Sequence, residues 1–241
     1  MRVIKKGNAP DFLVERQKEA QRKGLNSADA YALLTAKERH ELLDLLMKEQ
    51  GYLCAYCTRR LPDKRVPEEE REDIPPVSIE HWIPRRTKTQ RDIGQGLDYN
   101  NMLAVCSGNR RKRPNKRKNG KLTCDAKRKA EYDLLSLNPC DEKTLRNVFY
   151  TEDGYMHSSE DKEEDDINVK LNLNCISDNV QLPEMRRKKL LVLQEEMNLH
   201  ENDLKDFCKR LLDFFENEQG EKEEYSGILI YYLKEKIAAL S

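Results

Sequence analysis

The sequence predicts an α+β protein in which helices predominate and a small β region occupies the middle of the chain. Apolar residues recur at helical spacing in residues 28–50, in 126–137 and over the last quarter. The run "VSIEHWI" has the composition of a short strand, and "MLAV" fits a strand or the start of a helix. The alternation in "INVKLNLN" indicates a β-rich patch at 145–176. The expected segments are N-terminal helical (1–50), central (51–140), and β-rich followed by helical (141–241).

The composition is that of a water-soluble protein with a modest core. Hydrophobic and charged residues each make up 37% of the 241 positions, which leaves a heavily charged surface. The first residues, "MRVIKKGNAPDF", lack the apolar core of a signal sequence, and no run reaches the length of a membrane span. We therefore expect a soluble cytoplasmic protein with no membrane partner. With seven cysteines, an odd number, metal binding explains clustered cysteines better than disulfides do.

Charge is distributed unevenly along the chain although the formal net charge is zero. Residues 110–129 contain eleven lysines and arginines and one acid, Asp125. Residues 152–166 contain eight acids and one lysine. Blocks of like charge are commonly solvated loops, and we expect this of the acidic block. The basic block fits a solvated loop or a surface that binds nucleic acid.

A CxxC pair, Cys54-Ala-Tyr-Cys57, predicts a metal site. Two thiolates at this spacing match the geometry of tetrahedral zinc, which needs a second pair from elsewhere in the chain. Cys106 and Cys124 are the candidates, because both lie in the next polar stretch. The remaining cysteines are expected to be buried thiols without a ligand role. A redox CxxC is disfavoured, because no βαβ pattern surrounds it.

The second feature that could take part in catalysis or metal binding is Glu80-His81, followed by the segment "NNMLAVCSGNR". It places a hard oxygen ligand beside an imidazole. On a regular strand these two side chains point to opposite faces, so the backbone must bend for them to serve one site. Taken alone, the pair also fits the end of a surface strand with a satisfied histidine. Asn109 offers a second oxygen ligand.

Together these features resemble the HNH, or ββα-metal, endonuclease family. That family combines a [DE]H or HH pair, an asparagine before a hydrophobic run and a histidine or asparagine about eight residues later, often with zinc-binding CxxC pairs. Here His81 matches the first position, Asn101 the central one and Asn109 the last. The resemblance covers residues 51–130 and implies a ββα-metal core with structural zinc, embedded in a mostly helical chain.

The sequence departs from the family pattern in two places. Asparagine stands at the final position, as in an HNN variant, and Asn100 replaces Asn101 if the register slips by one residue. The second CxxC is incomplete, because Asn109 stands three residues after Cys106. Cys124 would then have to supply the fourth thiolate.

The resemblance assigns roles to the matching residues. His81 would be the general base, Asn101 would tie the loop and orient His81, and Glu80 and Asn109 would hold a catalytic Mg²⁺ or Mn²⁺. Structural Zn²⁺ would be bound by Cys54, Cys57, Cys106 and Cys124. The residues expected to contact nucleic-acid phosphates are Arg85, Arg86, Arg110, Arg111, Lys112, Arg113, Lys116 and Arg117.

A wider similarity links the chain to the HNH nucleases of bacterial antiphage defence. The segments "MRVIKKG", "VCSGNR", "TCDAKR" and "LNP" are similar to those of retron-associated and Septu-type (PtuB) nucleases. The similarity implies an endonuclease, with DNA favoured as substrate, that acts as an effector under a PtuA-like or retron-associated ATPase partner. Two alternatives remain open: a zinc-stabilised nucleic-acid-binding module without catalysis, and a subunit whose C-terminal helices dock on a partner.

Overall fold

The computed structural model describes residues 1–62, 77–85, 95–110, 121–128, 134–177 and 180–241. It is a mixed α/β structure in which helices surround small two-stranded sheets. The helices are α1 (Asp11–Lys23), α2 (Ser27–Ala32), α3 (Ala36–Glu49), α4 (Cys124–Lys127), α5 (Glu142–Leu145), α6 (Asp161–Asp165), α7 (Leu182–Asn198), α8 (Leu204–Asn217) and α9 (Ser226–Ala239). The strands are β1 (Val77–His81), β2 (Met102–Cys106), β3 (Val148–Tyr150), β4 (Met156–Ser158), β5 (Ile176–Ser177) and β6 (Val180–Gln181).

Helices α2 and α3 account for the helical pattern predicted at residues 28–50, and α1 lies earlier in the predicted N-terminal helical segment. A capping box opens α3: the Thr35 side chain accepts from the Glu38 amide, and the Glu38 carboxylate accepts from the Thr35 amide. Directly after the helix, Gly51 adopts a positive φ of 64°, which glycine adopts at little cost. The buried face of α3 carries Leu42 and Leu46, so the leucine periodicity does mark a packing face.

The central sheet consists of β1 and β2 alone among the described strands. They pair antiparallel, from Val77 opposite Cys106 to His81 opposite Met102. Every side chain of β2 is buried, which agrees with its uninterrupted apolar sequence. The strand predicted over "VSIEHWI" is therefore confirmed for Val77–His81 and does not include Trp82 and Ile83, and of the two interpretations of "MLAV" the strand is the right one.

Two predicted elements are wrong, and one buried carboxylate explains both. In the predicted helix 126–137, α4 ends at Lys127 and residues 134–137 are not helical. Residues 166–170 of the predicted alternating strand form a π-helical turn. Asp166 is fully buried and accepts hydrogen bonds from the amides of Ser136 (2.5 Å) and Leu137 (2.8 Å) and from the Lys170 amine (2.6 Å). The Ser136 and Leu137 amides are therefore satisfied by a carboxylate, not by the backbone carbonyls of a regular element.

The apolar stripe predicted on α7 is buried, whereas the buried residues of α8 differ from the predicted stripe. On α7, Leu190, Leu193 and Met197 are buried as the spacing predicts. On α8 the buried residues are Cys208 and Phe215, whereas Phe214, which the predicted stripe included, is 57% exposed. None of the described helices combines the length and apolar character needed to cross a membrane.

The buried hydrophobic cluster draws side chains from all three segments. Backbone hydrogen bonds join the cysteine knuckle to the approach of α9, from the Lys222 amide to the Gly51 carbonyl (3.1 Å) and from the Tyr225 amide to the Thr58 carbonyl (3.2 Å). The C-terminal helices therefore support the region that carries the cysteines.

Replacing Asp166 by alanine removes the acceptor of the Ser136 and Leu137 amides and leaves the Lys170 amine with only its longer contacts to Asp165 and the Leu134 carbonyl. We expect the free energy of unfolding to fall by about 3 kcal/mol. Asp165→Ala is the matched control, because the Asp165 side chain is 49% exposed and its ion pair with Lys170 is longer, at 3.4 Å; a change within about 0.5 kcal/mol is expected. Urea denaturation measures both, and equal effects would contradict this role of Asp166.

Candidate metal centre and catalytic site

The four cysteines Cys54, Cys57, Cys106 and Cys124 form one buried cluster. Their sulfur atoms all lie within 4.8 Å of one another. The Sγ–Sγ distances are 3.9 Å from Cys54 to Cys124, 3.8 Å from Cys57 to Cys106 and 3.8 Å from Cys106 to Cys124. A tetrahedron of thiolates about 2.3 Å from zinc has edges of about 3.8 Å. The cluster therefore fits a metal such as zinc, and the predicted grouping of these four residues is confirmed.

The knuckle that carries the first pair is held by backbone bonds. The Thr58 amide donates to the Cys54 carbonyl (3.0 Å), which closes the turn, and the Cys106 amide points at the Cys54 sulfur (3.4 Å). The buried Gln50 amide bonds to both the N–H and the C=O of Ala104 at 2.8 Å, and its nitrogen also donates to the Leu53 carbonyl. Gln50 thus connects the end of α3, the knuckle and β2.

Cys124 reaches the cluster through a close backbone approach. Gly108 has a φ of 59°, and a Cβ at this position would lie 2.2 Å from the Thr123 carbonyl oxygen and 2.5 Å from the Ala126 side chain. The Thr123 amide donates to the Gly108 carbonyl at 3.0 Å. The turn after β2 can therefore lie directly against the start of α4, which brings Cys124 to Cys106 in spite of the wide spacing in sequence.

The electrostatics of the cluster favour a cation among the sulfur atoms once the thiols ionise. Contacts with the other three cysteines, together with burial, raise the pKa of Cys124 well above its usual value. Burial alone would lower the pKa of the neighbouring Arg59, but the cysteine charges raise it overall. Four thiols this close cannot all ionise unless positive charge lies among them, and a metal ion supplies that charge while Arg59 offsets part of the remainder.

The Asn109 side chain has its hydrogen-bond partners near the four-cysteine cluster. Its carbonyl oxygen accepts from the Arg59 guanidinium (3.2 Å), and its amide nitrogen donates to the Lys121 carbonyl (2.9 Å). It therefore positions Arg59 and closes the loop before α4. Because its oxygen is engaged in this way, the geometry offers no support for the predicted contact of Asn109 with a catalytic ion.

Glu80 meets a second carboxyl group, Asp125, which sequence reasoning missed. Asp125 directly follows the cluster cysteine Cys124 and lies in the first turn of α4. Burial first, and then the charge and hydrogen bonding of Asp125, raise the pKa of Glu80 well above its usual value. The only sign of Asp125 in the sequence is that it is the single acidic residue in the basic block, residues 110–129.

An arginine bridges this carboxyl pair to the end of β1. The Arg128 guanidinium contacts the Glu80 carboxylate (2.7 Å) and donates to the Trp82 carbonyl (2.7 Å), with a longer contact to the His81 carbonyl (3.5 Å). Arg110 lies 3.6 Å from Asp125. The Asp125 side chain is 20% exposed and that of Glu80 is 11% exposed, so the pair is reached from the Asp125 side.

His81, the last residue of β1, points to the other side of the strand. Its ring meets the edge of the Tyr31 ring at 4.9 Å, and Nε2 lies 3.1 Å from the Gly96 carbonyl oxygen. Because a carbonyl only accepts, Nε2 carries the proton of the neutral ring and Nδ1 keeps the free lone pair. Burial, and secondarily the charge of Arg85, lower the pKa of His81 to about 4. The neutral form therefore prevails at neutral pH.

Asn101 closes the connection between the two strands. Its carbonyl oxygen accepts from the Ile83 amide (2.6 Å), and its amide nitrogen donates to the carbonyls of Ile83 (2.9 Å) and Gln95 (3.2 Å). Since Gly96 holds the His81 ring, the Gln95 bond also steadies the backbone that orients the imidazole. Asn101 is buried whereas Asn100 is exposed, so Asn101 is the asparagine that makes these contacts between the two strands.

The described part of the chain contains only two of the predicted phosphate-binding residues. Arg85 stacks on the Tyr31 ring, with its guanidinium carbon 4.3 Å from the ring centroid, and Arg110 lies beside Asp125. The others lie outside the described residues: Arg86, Arg111, Lys112, Arg113, Lys116 and Arg117.

These observations define a mixed α/β protein with a buried four-cysteine centre suited to a metal such as zinc. Within the described residues, this is the cluster of cysteine, histidine and acidic side chains that could hold an ion through three or more ligands. No protein-family model matches the chain, and no curated protein matches its sequence.

Replacing a cluster cysteine should remove the bound metal. We expect wild-type protein to carry one zinc per chain, and Cys124→Ser to lose it along with several kcal/mol of stability, because metal binding contributes directly to folding. Cys208→Ser is the matched control, since Cys208 is equally buried but lies on α8 outside the cluster. Elemental analysis and thermal unfolding measure both effects. Metal-free wild-type protein, or zinc retained in Cys124→Ser, would contradict the assignment.

Proposed function

We propose that the protein is a metal-dependent endonuclease of the ββα-metal (HNH) type that hydrolyses phosphodiester bonds of nucleic acid, with DNA favoured. The observation that carries the proposal is the meeting of Glu80 and Asp125 at the end of β1, directly before His81. Asn101 closes the β1–β2 connection around the same end. The first strand, the second strand and α4 then correspond to the ββα core.

The carboxyl groups of Glu80 and Asp125 are suited to bind a divalent cation. Carboxylate oxygens are the ligands that Mg²⁺ and Mn²⁺ prefer, and positive charge beside Glu80 would offset the burial and the Asp125 charge that raise its pKa. A cation held there would neutralise charge on the phosphate and on the departing 3′ oxygen. We therefore assign its oxygen ligands to Glu80 and Asp125, with Asp125 in place of Asn109.

The remaining residues of the proposed site accept the proton of the attacking water and hold the surrounding backbone in place. Nδ1 of His81 would accept a proton from the attacking water, while the Nε2 contact with Gly96 keeps the ring in the matching tautomer. Asn101 holds the backbone that positions Gly96. Glu80 and His81 leave the strand on opposite sides, so a phosphodiester would have to lie across its end, with the carboxyl pair on one side and the imidazole on the other.

A second candidate is a zinc-stabilised nucleic-acid-binding module without catalysis. The ion pair between Arg128 and Glu80 favours it, because this pair satisfies Glu80 without any metal ion. The burial of His81 also fits a structural histidine. In this case the basic residues would bind phosphates, and the strand end would only support the fold.

The two candidates differ in what four substitutions do to cleavage of supercoiled plasmid with Mg²⁺ or Mn²⁺. As a nuclease, the protein should lose at least about a hundredfold in rate with His81→Ala, Glu80→Gln or Asp125→Asn, because each removes the base or a metal ligand. Asn109→Ala, which disturbs only the contacts of Arg59 and Lys121, should retain more activity than any of the three. Each variant's zinc content and melting temperature serve as controls for folding.

The outcomes separate the hypotheses cleanly. Wild-type cleavage that is lost in Asp125→Asn but largely kept in Asn109→Ala supports the assignment of Asp125. The reverse order would restore the assignment from sequence. Salt-sensitive binding with no cleavage by wild-type protein, alone or with a PtuA-like ATPase, and no change in His81→Ala, would replace the nuclease by the binding module.

We further propose that the nuclease is an antiphage effector controlled by an ATPase partner, which docks on the C-terminal helices. The similarity to PtuB and retron-associated nucleases suggests the partner. Support in the structure comes from exposed apolar side chains: Val192 on α7 (54% exposed), Leu199 directly after α7 (84%) and Phe214 on α8 (57%). Side chains of this kind and size are enriched where protein interfaces form.

A double substitution Leu199→Asp and Phe214→Asp tests this docking surface. Both side chains are exposed, so we expect the fold to persist while co-purification with a co-expressed PtuA-like ATPase falls at least about tenfold. Leu134→Asp is the matched control, because Leu134 is comparably exposed, at 61%, but lies in another part of the molecule. Unchanged co-purification of the double variant, or none with the wild type, would refute the proposal.

A further inference from the structure

Tyr56 is a buried tyrosine whose hydroxyl has no hydrogen-bond partner among the residues that the structure describes. It lies between Cys54 and Cys57 in the cysteine knuckle, and its side chain is 1% exposed. A buried polar group without a partner costs folding free energy, so each such group in a folded protein calls for an explanation. A phenylalanine would fill the same space without this cost, and the ring alone therefore does not account for the hydroxyl.

The Tyr56 hydroxyl lies near the carboxyl groups of Glu80 and Asp125. Burial raises its pKa most and the Glu80 charge raises it further, while Arg128 lowers it and Asp125 raises it. The knuckle that carries Tyr56 and the start of α4, which carries Asp125, meet at the four-cysteine cluster. The cluster therefore brings a hydroxyl from the protein interior to the carboxyl pair.

In the described part of the chain, no group beside Tyr56 accepts its hydroxyl proton. The Arg128 guanidinium can only donate, and it donates to Glu80 and to the Trp82 carbonyl, both at 2.7 Å. Glu80 and Asp125 act on the hydroxyl through their charge, without a hydrogen bond. The proton is thus available to an acceptor at the carboxyl pair.

We propose that Tyr56 is a positioning residue for a divalent cation, and that its hydroxyl donates to a carboxylate oxygen of Glu80 or Asp125 when these two residues hold the ion. The inference rests on the proposed function, which assigns the cation to this pair. A carboxylate oxygen has lone pairs beyond the one that it directs at a cation, and carboxylate ligands are commonly held by a further hydrogen bond. Arg128 supplies one such bond to Glu80, and Tyr56 supplies another from the interior.

This role would join the two metal centres through a single turn of the chain. Cys54 and Cys57 belong to the four-cysteine cluster, and Tyr56 between them supports the carboxyl pair. The metal in the cluster would then also fix the hydroxyl at the cation site. Because Tyr56 is too buried to touch a nucleic acid, its effect should appear in the affinity for the cation.

Manganese titration of the zinc-containing protein, with free Mn²⁺ measured by electron paramagnetic resonance, tests the inference. Asp125→Asn identifies the site, because it should remove it. Tyr56→Phe should raise the Kd of that site about ten- to hundredfold, the usual effect of losing a hydrogen bond to a metal ligand. Tyr150→Phe is the matched control, because Tyr150 is also buried but lies on β3, and it should bind Mn²⁺ like wild type.

Thermal unfolding distinguishes this role from a structural one. Without divalent cations, Tyr56→Phe should melt no lower than wild type, because it removes only an unpartnered hydroxyl. With Mn²⁺, wild type should melt higher than the variant, since tighter binding to the folded state adds stability. A variant that melts lower without the cation, or that binds Mn²⁺ as tightly as wild type does, overturns the inference.

Plasmid cleavage separates the failure of this inference from the failure of the proposed function. Cleavage by wild type, with an unchanged Mn²⁺ Kd in Tyr56→Phe, leaves the nuclease standing and overturns the role of Tyr56. A Mn²⁺ site that depends on Tyr56, in a protein that does not cleave, supports the role and counts against the nuclease. No Mn²⁺ binding by wild type overturns both.

Discussion

The charge balance of four buried thiols is the constraint on which the rest of the site depends. Cys54, Cys57, Cys106 and Cys124 lie at distances that suit one tetrahedral metal, and without a cation they cannot all be thiolates. The metal would cross-link the knuckle, the end of β2 and the start of α4. Because β1 pairs with β2, this cross-link also fixes β1 against α4.

The position of Asp125 follows from that cross-link, which explains why it could not be read from the sequence. A thiol cluster is visible in sequence because cysteines are rare and the CxxC spacing is distinctive. A carboxyl group is common, and Asp125 gains its meaning only where the ligand Cys124 brings it to Glu80. Asn109, by contrast, satisfies the family spacing, yet the close approach at Gly108 turns it toward Arg59. Linear spacing therefore singled out Asn109, whose side chain contacts Arg59 and Lys121, and gave no indication of Asp125.

The same distinction separates the parts of the fold that the sequence predicted from those it did not. Helix α3 depends on local periodicity and a capping box, and α7 on local periodicity, so their patterns were sufficient. The apolar run of β2 left a strand and the start of a helix both open, and pairing with β1 decides between them. The π-helical turn at 166–170 depends on a long-range bond, from the Ser136 and Leu137 amides to Asp166. A buried carboxylate that satisfies distant backbone amides leaves no periodic signal, and the polar–apolar alternation around it was misleading.

The regular geometry of β1 has a further consequence for how the site is built. Because the strand stays paired up to His81, Glu80 must face α4 and His81 must face α2. The carboxyl side of the strand end therefore lies by the four-cysteine cluster and the imidazole side by the N-terminal helices, with Asn101 closing the backbone connection between the strands. Residues from separate segments of the chain thus meet at this edge, with Asp125 and Arg110 on one side of the strand and Tyr31 on the other. The sequence of the N-terminal helices, read as an ordinary helical packing unit, did not indicate that one of them contacts the His81 ring.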